Sequence, residues 1–131
     1  MSGMNLLLDT HALLWWLAGD ARLSRRARAA IVDEGNTIHV SAASAWEIAT
    51  KHRLGRLPQI GPLATELPEH IAAQGFSSLD ITVDHGLRAG NLGGAHRDPF
   101  DRMLAAQAQA ERLTLVSNDL VFDAFGVTRV W

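Results

Sequence analysis

The alternation of short apolar runs with stretches of helical spacing most constrains what this chain can fold into. Asn5-Leu6-Leu7-Leu8, Thr37-Ile38-His39-Val40-Ser41 and Leu113-Thr114-Leu115-Val116-Ser117 are brief, and each gives way to a helix-like segment. A strand that is apolar on both sides has to be covered on both sides. That is the condition of a parallel sheet between helical layers joined by right-handed crossovers. The expectation is an α/β fold in one domain, residues 1–131, with three layers (α/β/α) around a central, mainly parallel sheet.

Local signals place the remaining elements. Ala12, Leu13, Trp15, Trp16 and Leu17 carry a helix from Asp9-Thr10 to Gly19, and Ser24 is placed to cap a second one, Arg25–Glu34, closed at Gly35. Ser44-Ala45-Trp46-Glu47 has the form of a capping box opening a helix that runs to Arg53. Pro62–Gln74 spaces Leu63, Leu67 and Ile71 by four, but Pro68 interrupts it, so one broken helix or two short ones are expected. Leu79–Thr82 reads as a strand, Val83–Ala89 as a short helix and Gly90–Ala95 as a glycine-rich turn. Asp98-Pro99 sets a capping side chain before a proline at the first helical position, and this helix reaches Arg112. A short helix, Leu120–Phe125, and a strand, Val127–Trp131, complete the pattern.

With 131 residues, 47% of them hydrophobic, a core can hold the fold without staples, and the absence of cysteine excludes disulfides and thiolate metal sites. Leu6–Leu8 and Ala12–Ala18 are far shorter than the ~20 residues of a membrane span. Met1-Ser2-Gly3-Met4 lacks the basic and apolar regions of a secretory signal, so a cytoplasmic protein with no membrane partner is expected. A net charge of −2 argues against passive binding to a polyanion. Two basic clusters nevertheless stand out, Arg22/Arg25/Arg26/Arg28 and Lys51/Arg53/Arg56; Arg25, Arg26, Lys51 and Arg53 are candidate phosphate contacts, against the plainer reading of solvated helix faces.

In open parallel sheets chemistry gathers outside the carboxyl ends of the strands. Asp9 ends the first strand, Glu47 follows the second, Asp101 lies in the first turn of the Asp98 helix, and Asp119 lies just beyond Val116-Ser117. Each has a structural explanation alone: Glu47 as partner of Ser44 in a capping box, Asp98 as an N-cap, the others as acids favoured near helix starts. Four together repel one another and oppose folding unless a cation neutralises them. Oxygen donors without Cys or paired His point to Mg²⁺ or Mn²⁺, which can activate a bound water and offset charge on a phosphodiester.

Other chemistries have less support. The six histidines are scattered, no GxSxG elbow is present, and Gly90-Asn91-Leu92-Gly93-Gly94 does not continue into a phosphate-binding GKS or GKT. A phosphoaspartate-type phosphatase would use Asp9 as nucleophile, yet position 11 is His rather than a second acid. A non-catalytic module whose acidic centre accepts a basic partner segment also fits the charge.

Three segments, Leu6–Leu17 around Asp9-Thr10-His11, Val40–Lys51 around Trp46-Glu47-Ile48, and Asp98-Pro99-Phe100-Asp101-Arg102 continuing to Ala108, resemble the signature of PIN-domain ribonucleases, most closely the VapC-like toxins of type II toxin-antitoxin pairs. The resemblance extends from Asn5 to Trp131. It implies a single α/β/α PIN domain, usually a homodimer, that cuts RNA with Mg²⁺ or Mn²⁺ and is silenced by a small antitoxin protein. Under it Asp9, Glu47, Asp101 and Asp119 correspond to the four catalytic acids. Asp9 and Asp101 are the first candidates for metal ligands, and Glu47 completes the shell or orients a water. Asp119 acts at a distance, and Asp98 is a cap first and an outer supporting acid second. His11 and His96 also belong to this pattern, without a spacing that assigns them a role.

Overall fold

The computed structural model describes residues 3–57 and 60–131; the Met1-Ser2 opening read above lies outside them. Among these residues five parallel strands, β1 (Asn5–Leu8), β2 (Thr37–Ser41), β3 (Ser77–Leu79), β4 (Thr114–Val116) and β5 (Arg129–Val130), form one sheet in the order β3-β2-β1-β4-β5. Among the described residues six α-helices are interleaved: α1 (Thr10–Ala18), α2 (Arg25–Val32), α3 (Ala42–Arg53), α4 (Leu63–Ala73), α5 (Val83–Asn91) and α6 (Pro99–Glu111). A 3₁₀ helix spans Leu120–Phe125. The α/β/α expectation holds.

The pleat explains the two cores. Leu6 and Leu8 point into one helical layer with Leu13, Ile31, Val40, Ile48 and Val116, while Leu7 between them points into the other with Leu104, Leu115 and Phe122. All three β1 leucines are fully buried, as the central strand of a doubly covered sheet requires.

Several boundaries differ from the sequence expectation. β2 passes into α3 without a loop, and Ser41 rather than Ser44 caps the helix, its Oγ accepting from the Ala43 N–H at 2.9 Å. Ser44 is thus inside α3 and Glu47 is in its second turn, which removes the capping-box explanation of Glu47. α2 stops at Val32, because the Asp33 side chain accepts from the Gly35 N–H and turns the chain early. The third strand is Ser77–Leu79, not Leu79–Thr82: its register is set by pairing His39 with Ser77.

α4 runs unbroken past Pro68, anchored by buried Leu67 and Ile71 on either side of the proline. α5 begins with a capping box between Thr82 and His85 and continues to Asn91, taking in Gly90, which the sequence had suggested for a turn. A distant side chain makes this extension possible. The Arg102 guanidinium donates to the carbonyls of Ala89, Leu92 and His96, satisfying the helix end that Gly90-Asn91 alone would leave open.

The chain leaves β1 towards β2 and β3 on one side and returns to β4 and β5 on the other. The order in which strands are added therefore reverses between β1 and β4, and the carboxyl ends of those two parallel strands flank the crevice where such folds place their ligands.

Candidate active site

Asp9 leaves β1 at this crevice and caps α1, its Oδ1 accepting from the Ala12 N–H at 2.7 Å. The residue is only 5% exposed. Burial pushes its carboxyl up to about 6; bonds from the Ser117 hydroxyl and the Ala12 N–H and the nearby His11 pull it back, while Asp101 adds to the rise. An acid here is costly to ionise unless a cation comes near.

Asp101 approaches from α6. Asp98 caps that helix through bonds from the Phe100 and Asp101 N–H groups at 2.9 and 3.0 Å, so the Asp-Pro-Phe-Asp segment fixes where the Asp101 side chain starts. His96 Nε2 lies 2.9 Å from Asp101 Oδ2 and orients it. Burial raises the Asp101 carboxyl; the His96 bond and charge oppose this, and Asp98 and Glu47 reinforce it.

Glu47 is 6% exposed and reaches the crevice from α3. Thr10 Oγ1 lies 2.6 Å from its Oε1 and 3.0 Å from Ser44 Oγ, and the Lys51 ammonium, one turn along α3, donates to its Oε2. Asp119 sits at the exposed rim after β4, its Oδ1 accepting from the Val121 N–H at 3.0 Å.

Asp9, Glu47, Asp98, Asp101 and Asp119 thus converge with Thr10, His11 and Lys51 on one cleft of about 100 Å³. That volume has room for an ion with a few waters. A polymeric substrate would have to lie across the mouth.

A scan against protein-family models matches residues 6–127 to the PIN domain. This chain belongs to the PIN-domain family. Among curated relatives, the PIN domain is 30% identical over 117 residues to ribonuclease VapC22 of Mycobacterium tuberculosis, a match covering 87% of this chain and 86% of that protein. It is 46% identical over 69 residues to ribonuclease VapC16 of the same organism, over 53% of this chain but less than half, 46%, of that relative. Solved structures of the same fold include VapBC2 from Rickettsia felis, bound to a promoter DNA fragment (TM-score 0.70, 17% identity, 96% and 97% of the two chains), and VapC20 of M. tuberculosis, a sarcin-ricin-loop-cleaving toxin (TM-score 0.68, 17% identity, 94% and 96%).

The donor set suits a hard cation. Asp9 and Asp101 present oxygens whose ionisation is opposed first by burial, with Asp101 adding to the rise at Asp9 and Asp98 and Glu47 adding to that at Asp101, the electrostatic strain that a divalent ion relieves. Among the described residues no three His, Asp or Glu side chains form a finished cage. Mg²⁺ commonly uses one or two carboxylates and fills the rest of its shell with water, so these two acids fit it. Glu47, expected as a third ligand, has both oxygens engaged by Thr10 and Lys51.

The basic candidates divide. Lys51 lines the cleft, and Arg53, two residues on, is exposed on the last turn of α3. Arg25 and Arg26 are exposed on α2 and are not among the residues that line the cleft of acids. Their cluster neighbours Arg22 and Arg28 instead lie over the rings of Trp15 and Trp16. Thr10 was not singled out in the sequence, although its place directly after Asp9 at a strand end was a signal.

Proposed function

We propose that this PIN domain is a divalent-metal-dependent endoribonuclease and the toxin of a toxin-antitoxin pair, acting on RNA in the cytoplasm. The observation that carries the reading is the meeting of Asp9, Glu47, Asp101 and Asp119, from four separate stretches of sequence, in one cleft beside the sheet's reversal point. The names of the curated relatives support ribonuclease activity, and toxin-antitoxin complexes from R. felis and Klebsiella pneumoniae among structures of the same fold support an antitoxin partner.

A bound Mg²⁺ or Mn²⁺ would supply an acidified water and offset the phosphate's charge. The chain's own residues do the rest. Asp9 and Asp101 hold the ion, His96 and the Asp98 cap keep Asp101 in place, and Thr10 and Lys51 hold Glu47. Asp119 adds its carboxylate at the rim of the cleft, and exposed Arg53 meets the polymer's phosphates outside it. Attack by water forms a phosphorus–oxygen bond as the bond to the 3′ oxygen breaks, leaving a 5′-phosphate and a 3′-hydroxyl.

Assembly as a homodimer belongs to the same reading, and exposed Val83 and Leu87, one turn apart on α5, offer apolar surface for it; light scattering of the purified chain measures it. The function itself is tested by incubating purified protein with total RNA. Cleavage with Mg²⁺ that EDTA stops and Asp9→Asn abolishes is the expected result. Equal cleavage by Asp9→Asn, or none by the wild type, would reject the assignment.

A further inference from the structure

Long cationic side chains on helices ordinarily carry their charge out to water. Lys51 does the opposite: its side chain is 28% exposed, and its ammonium turns inward onto Glu47, itself 7% exposed. The cleft it lines also holds Thr10, His11 and the carboxylates of Asp9, Asp98, Asp101 and Asp119. Among the described residues none of those four forms an ion pair with a Lys or Arg; Asp101 meets only His96. The acids of the cleft therefore differ in kind. Glu47 is neutralised from within the chain and also held by Thr10, whereas Asp9 and Asp101 have oxygens facing the cleft with no fixed cation beside them.

Building on the nuclease reading, we propose that Lys51 is a built-in cation of the site: its ammonium, clamped by Glu47, occupies the place of a second divalent ion, so that the cleft takes one ion, held by Asp9 and Asp101. Glu47 is then a clamp rather than a ligand. Two-metal phosphodiesterases set their ions ~3.5–4 Å apart, and an ammonium this close to one carboxylate wall repels a second dication from that space. An ammonium has three protons to donate. One is spent on Glu47, and the others remain for a phosphate oxygen laid across the mouth, a contact that draws on charge and transfers no proton.

The test counts ions on metal-free protein without RNA, by Mn²⁺ electron paramagnetic resonance together with calorimetry. Wild type is expected to bind one Mn²⁺. Lys51→Met, which frees Glu47 and removes the repulsion, is expected to bind a second Mn²⁺ or to tighten the first by at least about tenfold. Lys51→Arg keeps one ion at near wild-type affinity. Glu47→Gln keeps the single ion, whereas Asp9→Asn loses it. Circular dichroism melts establish that each variant is folded, and if Lys51→Met does not fold, Lys51→Gln, which removes the charge but can still donate a hydrogen bond to Glu47, carries the same expectation of a second or tighter Mn²⁺. Two ions on the wild type, none, loss of the ion in Glu47→Gln as complete as in Asp9→Asn, unchanged binding in folded Lys51→Met, or a second ion in Lys51→Arg would overturn the proposal. RNA cleavage is scored separately, so one-ion binding without cleavage refutes the nuclease reading and leaves the assignment of Lys51 standing.

Discussion

Replacing Asp9 with Asn should stabilise the metal-free protein at neutral pH while abolishing its activity. The Asp9 carboxyl is raised from 3.8 to about 6 by burial, so ionising it at pH 7 works against folding. The difference between those two values, at 1.36 kcal/mol per unit, corresponds to about 3 kcal/mol. The sign follows from proton binding. Because the folded state holds this proton more tightly than the unfolded chain, the group favours folding fully below pH ~4, and that benefit is lost as pH rises through about 6. Asn is neutral at every pH and its oxygen can still accept from the Ala12 N–H. With an unfolding entropy of ~2.1 cal/mol/K per residue, about 3 kcal/mol corresponds to an increase in Tm of roughly 10 °C for a chain of this length. The assay is a melting series in EDTA from pH 4 to 8. The two proteins should melt together near pH 4 and diverge above pH 6, with Asp9→Asn the more stable. An Asn variant that melts at or below wild type at pH 7.5, or a gap that does not change with pH, would refute the argument that burial strains this acid.

Asp101→Asn should shift the metal-free melt in the same direction at neutral pH, since burial, Asp98 and Glu47 all raise its carboxyl, but by less because it is partly exposed. Differential scanning fluorimetry in EDTA measures it. His96→Ala removes the bond that orients Asp101 and should cost about 10- to 100-fold in metal affinity or cleavage rate with little change in Tm, read from Mg²⁺ titrations of RNA turnover. Arg102→Met leaves the carbonyls of Ala89, Leu92 and His96 without their donor and should destabilise the fold by about 2–3 kcal/mol, read by urea unfolding.

The parts of the fold set by local sequence were legible in advance. The β1 leucines, the Asp9 turn, the Ser24 cap and the Asp98-Pro99 helix start depend on residues within a turn of one another, and all stand where the sequence placed them. The errors arose where a distant partner decides. Gly90 is helical because Arg102 reaches back from α6, and β3 sits two residues early because pairing with β2 fixes its register. Ser41 displaced Ser44 as a cap because β2 runs straight into α3, a junction in which both serines are equally good caps by composition. The same holds for the site. The acids could be placed by their position after strands, but the engagement of Glu47 by Thr10 is a contact between residues 37 apart that no local pattern encodes. The Glu47–Lys51 pair was within reach of the sequence, since four-residue spacing on a helix brings such side chains together.

Soaking crystals of the protein with Mn²⁺ and locating the ion from its anomalous scattering tests the central claim directly. The account predicts a peak between Asp9 and Asp101, with an oxygen of at least one of them at about 2.1 Å from the ion. A well-ordered cleft with no peak under saturating Mn²⁺, or an ion bound elsewhere on the chain, would contradict it.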